Sequence, residues 1–324
     1  MLELNAPLNG NNLLELMKKE VTYNTVIEGL LYEEDSVLVS SAPGLGKSMI
    51  VIQMLMELSS GSPVFGCLYV PKKRRVWYIQ MERSLTESLS RISHMRTSTD
   101  LNADNIFVDT ELQALNWLRP GSIEFIIERG KKIAPDVIFI DPLYGIASGL
   151  SKDEVGSDVA KIMTVLKKEL RCAIWLNHHT VKDTYFNGVK VDKDDPFYGA
   201  QWLKAHVTNS YLFEHSEDGS RWSNKKDSHF PKNLMRELNL KYDEETGRSV
   251  IKLEYGEARD RLRIFFNASF RLGKTIIDLA EITSKTAVSQ SQFFRTMRDE
   301  PFCTYITSHK SKFSKTLYEV TKEI

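Results

Sequence analysis

The residues best suited to chemistry lie in Ser40-Ser41-Ala42-Pro43-Gly44-Leu45-Gly46-Lys47-Ser48-Met49. Two glycines, a lysine and a hydroxyl at this spacing let successive backbone N–H groups converge on one phosphate. Lys47 then reaches the β- and γ-phosphates, and Ser48 offers its hydroxyl to Mg²⁺. The expected nucleotide-binding residues are Ser41, Ala42, Pro43, Gly44, Leu45, Gly46, Lys47, Ser48 and Met49. The usual pattern opens with glycine, and Ser41 stands in that place. Val137-Ile138-Phe139-Ile140-Asp141 reads as a buried strand that delivers a carboxylate at its C-terminal end, where Asp141 can hold the same Mg²⁺. Asp136 lies at the strand's other end. No glutamate follows Asp141, because Pro142, Leu143 and Tyr144 come next. The nearest carboxylate able to orient and activate an attacking water is Glu82, which ends the run Arg75–Met81. His178 and His179 end the next apolar run, Cys172–Asn177. A side chain there can contact the γ-phosphate and pass its loss to the following loop, Val181–Pro196. A solvated strand-end Glu82 and a satisfied core histidine are the alternatives.

Those side chains require a sheet to carry them. Ser36–Val39 is a short apolar strand before the loop, and Met49–Leu58 has the length of a helix after it. Ser84–Met95 and Ser122–Gly130 read as helices, the second closed by Gly130. Ser151–Leu170 holds a loop and then a helix. Asn209–Phe213 and Arg221–Ser228 read as strands, and Leu238–Tyr242 with Ser249–Tyr255 as a hairpin. Alternating strands and helices up to about residue 210, then a strand-rich end, predict an α/β fold. Its sheet is mostly parallel with antiparallel C-terminal strands.

Composition sets outer bounds. Among 324 residues, 43 Lys and Arg balance 43 Asp and Glu, so overall charge does not favour a nucleic-acid partner. Three widely spaced cysteines suit a reducing compartment. No apolar run approaches the roughly 18 residues that span a bilayer. A soluble, cytoplasmic protein without a membrane partner is expected. The balance shifts after residue 257: residues 258–324 carry 12 Lys and Arg against 7 Asp and Glu, a net +5. Within them Thr275–Ile282 and Val288–Met297 read as two helices joined by a turn at Ser284–Thr286, a helix-turn-helix pattern. Gln290, Gln292 and Arg295 would face nucleic acid. Cys303–Thr307 and Leu317–Val320 would form a wing, giving a winged-helix-like unit. A unit that binds only protein has the same pattern. The expected organisation is an N-terminal arm or helix (1–20), an ATPase domain (21–257) and a basic C-terminal unit (258–324).

The order of these motifs carries a resemblance. The phosphate loop, Tyr78-Ile79-Gln80-Met81-Glu82, Ile138-Phe139-Ile140-Asp141-Pro142-Leu143, Leu176-Asn177-His178-His179-Thr180 and Gly199-Ala200 resemble the RecA-like P-loop ATPase core over about residues 20–255. The branch they resemble most is that of RepA-type plasmid and phage helicases, with DnaB-type helicases and KaiC as more distant relatives. The resemblance implies ATP and Mg²⁺ as ligands and a homo-oligomeric ring, usually a hexamer, with ATP between subunits. It also implies that loops 145–158 and 181–198 touch single-stranded DNA, through Lys182, Lys190 and Lys193 in the second. Asp192, Asp194 and Asp195 oppose that charge. Relatives place a basic finger near Lys225 and Lys226, reaching a neighbour's ATP. Many have an arginine two positions after the lysine, where Ser228 stands here.

The most direct reading is a ring-forming replicative DNA helicase of a plasmid, phage or mobile element. Two other readings fit the same motifs: a non-translocating ATP switch, loader or KaiC-like, that recruits partners, and a DNA-binding regulator whose assembly ATP controls.

Overall fold

The computed structural model describes residues 23–95, 102–147, 153–180, 184–186, 189–191, 201–216, 219–229, 235–243, 248–251, 258–271, 273–286, 288–298, 305–310 and 316–321. The expected arm at 1–20 lies outside them, as do Lys182 and Lys193. Two short strands, β1 (Thr25–Ile27) and β2 (Leu31–Tyr32), open the described chain. There follow β3 (Ser36–Ser41), α1 (Lys47–Ser60), β4 (Val76–Gln80), α2 (Leu85–His94), β5 (Ile106–Asp109), α3 (Ser122–Ile133), β6 (Val137–Asp141), α4 (Asp153–Leu170) and β7 (Ala173–His179). A hairpin of β8 (Thr184–Phe186) and β9 (Val189–Val191) and the short helix α5 (Gln201–His206) lead to β10 (Asn209–Ser216), β11 (Gly219–Asp227), β12 (Glu237–Asp243) and β13 (Arg248–Ile251). The C-terminal part holds α6 (Ala258–Arg271), β14 (Ile276–Asp278), α7 (Leu279–Thr286), α8 (Gln290–Thr296), β15 (Ile306–Lys310) and β16 (Thr316–Val320).

The nine-stranded sheet has the order β13-β12-β11-β10-β3-β7-β6-β4-β5. From β10 to β5 all neighbours pair in parallel, and β11, β12 and β13 add on antiparallel. The expected α/β architecture is therefore observed. Its cause is visible strand by strand, because both faces of the parallel strands are apolar. Val37 and Val39, Tyr78, Phe139 and Trp175 enter the core that surrounds α1. Leu38, Trp77 and Ile79, Ile138 and Ile140, and Leu176 enter the core on the other face, which α3 and α4 help cover. Helix α1 lies deep in the first core, and its Gln53 spans to β13. The Gln53 amide donates to Ser249 O (2.7 Å) and accepts from Ser249 N (2.8 Å).

Some expected elements shift. Gly130 does not close α3; the helix runs to Ile133 and ends at Ala134, which takes the left-handed conformation (φ 50°). Gly130 is instead a close-approach residue: a Cβ there would lie 2.5 Å from the Leu170 side chain. Thr275–Ile282 is not one helix. The β-branched pair Ile276-Ile277 extends as β14 against β16, with Ile277 buried among Leu262, Phe266 and Phe293. Helix α7 begins after Asp278, whose carboxylate accepts from Glu281 N (2.7 Å), and it runs through the expected turn to Thr286. Of the strand expected at Cys303–Thr307, Cys303 and Thr304 lie outside the described residues; β15 (Ile306–Lys310) pairs with β16 in a three-stranded sheet ordered β14-β16-β15.

This C-terminal cluster docks on the turn between β1 and β2, which pair apart from the main sheet. The Glu28 carboxylate accepts from Arg271 (2.6 Å) and from Asn267 of α6. The Arg271 guanidinium also stacks over the Tyr69 ring at 3.9 Å. Among the described residues no helix is long and apolar enough to cross a membrane.

Candidate nucleotide site

Parallel pairing brings the C-terminal ends of β3, β7, β6 and β4 to one edge. Ser41 pairs with His179, and Asp141 pairs with Gln80. A ligand in an open α/β sheet sits at such an edge. The loop from Ala42 to Gly46 rises from it into α1. Gly44 (φ 83°) and Gly46 (φ 85°) both adopt a left-handed backbone that side chains resist. A Cβ at either would meet nothing within 4 Å, so the loop borders open space. Gly46 caps α1 without any side-chain hydrogen bond. The first N–H groups of α1 and its positive end therefore face that space, which suits a phosphate.

Lys47 is buried at 8% exposure. Its ammonium donates to Ser41 O (3.1 Å), Ser41 Oγ (2.5 Å) and Ala42 O (3.3 Å), and lies 3.5 Å from His179 Nδ1. The Ser41 hydroxyl, which replaces the usual glycine hydrogen, is thus a direct partner of Lys47. Burial pushes the Lys47 pKa down to about 8, while the Asp141 and Glu82 carboxylates hold it up. His179 is half-buried, and burial followed by the Lys47 cation lowers its pKa, so it is neutral near neutral pH. His178 is 3% exposed within the sheet. Of the two histidines, His179 is the one beside Lys47.

Asp141 is 3% exposed, and its Oδ2 accepts from the Tyr78 hydroxyl at 3.0 Å. Gln80 donates to that same Tyr78 oxygen (2.9 Å), while its amide oxygen accepts from Glu82 N (2.8 Å) and Arg83 N (3.1 Å). Gln80 thereby links the carboxylate strand to the turn that presents Glu82. The Glu82 side chain is exposed and lies near enough to Tyr144 to raise the phenol's pKa, and the Tyr144 ring lies 5.4 Å from that of His179. Ser48, half-buried at the start of α1, and Asp141 are hard oxygen donors and fit a Mg²⁺.

The lysine pair does not join this edge. Strand β11 is antiparallel to β10, so Asp227 pairs with Asn209, which pairs with Val37 near the start of β3. Lys225 and Lys226 therefore lie toward the opposite end of the sheet from Ser41. Lys225 is exposed. The Lys226 ammonium donates to Lys204 O (2.8 Å), Ala205 O (2.8 Å) and Val207 O (2.6 Å), closing the C-terminus of α5. Lys190 belongs to β9. Gln290, Gln292 and Arg295 are exposed on α8, in the C-terminal part of the chain. The Gln292 amide is engaged in capping that helix, accepting from Ser289 N (3.0 Å).

Sequence reasoning assigns no role to Tyr78, Gln80 or Tyr144. A polar Gln80 closing an apolar strand is a usable signal. Tyr144, an aromatic after Asp-Pro-Leu, carries none. Beyond the loop a cavity of about 490 Å³ opens between Leu45, Gly46, Met49, Phe213, His215 and Tyr242.

Residues 16–185 match the family described as AAA domain (AAA_25). The chain belongs to this AAA-domain family. A search of curated proteins found no match. Among solved structures, one isolated ATPase domain is similar at 12% identity and a TM-score of 0.51, covering 74% of this chain and 95% of that one. A KaiC-like protein from the hyperthermophilic archaeon Pyrococcus horikoshii OT3 is similar at 13% identity and a TM-score of 0.48, covering 70% of this chain and 93% of that one. The AAA-domain core is thus a RecA-like P-loop ATPase fold.

Proposed function

We propose that this AAA-domain protein hydrolyses ATP in a homo-oligomeric ring and uses the energy to move along single-stranded DNA, as a replicative helicase of the RepA type. The observation that supports it best is the convergence of Lys47, Asp141, Glu82 and His179 on one sheet edge beside an uncapped helix start. Lys47 leaves its Ser41 and Ala42 partners and pairs with the β- and γ-phosphates. Ser48 and Asp141 hold Mg²⁺, which when bound neutralises phosphate charge. Glu82 orients water toward the γ-phosphate, and His179 senses whether that phosphate is present. Leu45, Met49, Phe213 and Tyr242 offer apolar walls to base and ribose. Lys225 has no route to its own phosphate loop and serves a neighbour's, which is why a ring of about six copies fits. Lys182, Lys190 and Lys193 contact the strand's phosphates, and Gln290 and Arg295 give the C-terminal unit, 258–324, a second nucleic-acid surface. The separate hydrophobic cluster of that unit supports its standing as a domain beside the core. A cytoplasmic location suits this role.

The test is ATP turnover with and without single-stranded DNA, for the wild type and Glu82→Gln. Stimulation by DNA that the variant abolishes, by about a hundredfold or more in turnover, is expected. Turnover indifferent to DNA would replace the motor with a partner-recruiting switch. Undiminished turnover in Glu82→Gln would remove Glu82 from the mechanism.

A further inference from the structure

We propose that Tyr144 is a positioning residue: its hydroxyl fixes the Glu82 carboxylate, and its ring ties that carboxylate to His179. This rests on the reading of Glu82 as the group that orients water. An exposed glutamate at the mouth of a site samples several rotamers, and each wrong one misplaces the water. The Gln80 amide oxygen fixes only the backbone of the Glu82 turn. The carboxylate itself has the Tyr144 phenol as its neighbour, whose pKa it raises.

Tyr144 is well placed to do this because its own turn is locked to the turn of Glu82. Met81 N donates to Asp141 O at 2.8 Å, and Gly145 packs directly on Met81. A Cβ on Gly145 would lie 2.4 Å from Met81 Cβ and 3.0 Å from Met81 O, so only glycine permits the approach. The Tyr144 and His179 rings stand 5.4 Å apart at 31°, and His179 Nδ1 lies 3.5 Å from Lys47 Nζ. Contacts thus run Lys47–His179–Tyr144–Glu82 across the ends of β3, β7, β6 and β4. Burial and the Glu82 carboxylate raise the Tyr144 pKa, so the phenol keeps its proton and remains a donor. A γ-phosphate that moves Lys47 and His179 would, through the Tyr144 ring, bring Glu82 into register only when ATP is bound.

The test compares wild type, Tyr144→Phe, Glu82→Asp and the double variant in steady-state turnover. Tyr144→Phe keeps the ring and loses the hydroxyl. We expect kcat to fall about tenfold with KM within about twofold, the pattern of a group that serves the transition state. Glu82→Asp withdraws the carboxylate from Tyr144, so adding Tyr144→Phe to it should cost less than about twofold more. Equal losses in both backgrounds, a loss carried by KM, or wild-type turnover in Tyr144→Phe would overturn the proposal while leaving Glu82 in place. Wild-type turnover in Glu82→Gln would overturn both readings, so the two failures are distinguishable. An unchanged melting temperature in Tyr144→Phe is expected, since a hydroxyl on a 42% exposed ring adds little to the core.

Discussion

Lys47 shows how a residue can be prepared for a ligand at a cost to its own charge. Burial lowers its pKa to about 8, and the fields of Asp141 and Glu82 oppose that shift. A triphosphate favours the ammonium, so nucleotide binding above that value must take up a proton. ATP affinity should therefore hold steady below about pH 8 and fall as pH rises through it, by at most about tenfold per pH unit. His179 adds nothing to this dependence, because burial and Lys47 already keep it neutral there. Titration of a fluorescent ATP analogue across about pH 7 to 9.5 checks it. Lys47→Met should bind weakly and without the slope, and a flat wild-type curve would refute the linkage.

At the scale of elements, the two lysines that the sequence treats alike are separated by what they touch. Lys226 supplies three hydrogen bonds to the carbonyls that α5 leaves unpaired at its end, where a cation also suits the helix dipole. Lys226→Met should cost about 1–2 kcal/mol in urea unfolding, and Lys225→Ala less than about 0.5 kcal/mol. Equal effects on stability would contradict this division. The example also marks where sequence reasoning stops. The phosphate loop, β6 with Asp141, and β7 with its histidines are legible because local spacing and apolar runs dictate them. The role of Lys226 depends on α5, about 20 residues earlier, and no periodicity records that meeting. Gly130 is misread for the same reason: a glycine near a helix end suggests a cap, but Leu170 and Trp77, both remote in sequence, decide its use. Ile276-Ile277 shows tertiary burial overriding a helical reading, since β16 is available to pair with it.

At the scale of the molecule, Glu28 joins the C-terminal cluster to the β1–β2 turn that precedes the site's sheet. One carboxylate accepts from both Asn267 and Arg271, and the Arg271 plane covers Tyr69. Glu28→Ala should weaken this docking by about 2–3 kcal/mol. Hydrogen exchange would then quicken in α6 while β3 and β6 keep their protection. A uniform increase over all three would show that Glu28 stabilises the whole chain rather than the junction.

The opposed placement of Lys47 and Lys225 has a further consequence. Under the proposed function each copy has two unlike ends, one that holds the triphosphate and one that lends a cation. In a ring, each copy lends its cation to one neighbour and receives one from the other, so every interface is head-to-tail, equivalent and pointing the same way around. A two-fold pair would instead exchange both ends reciprocally across one interface and leave neither end for a third copy.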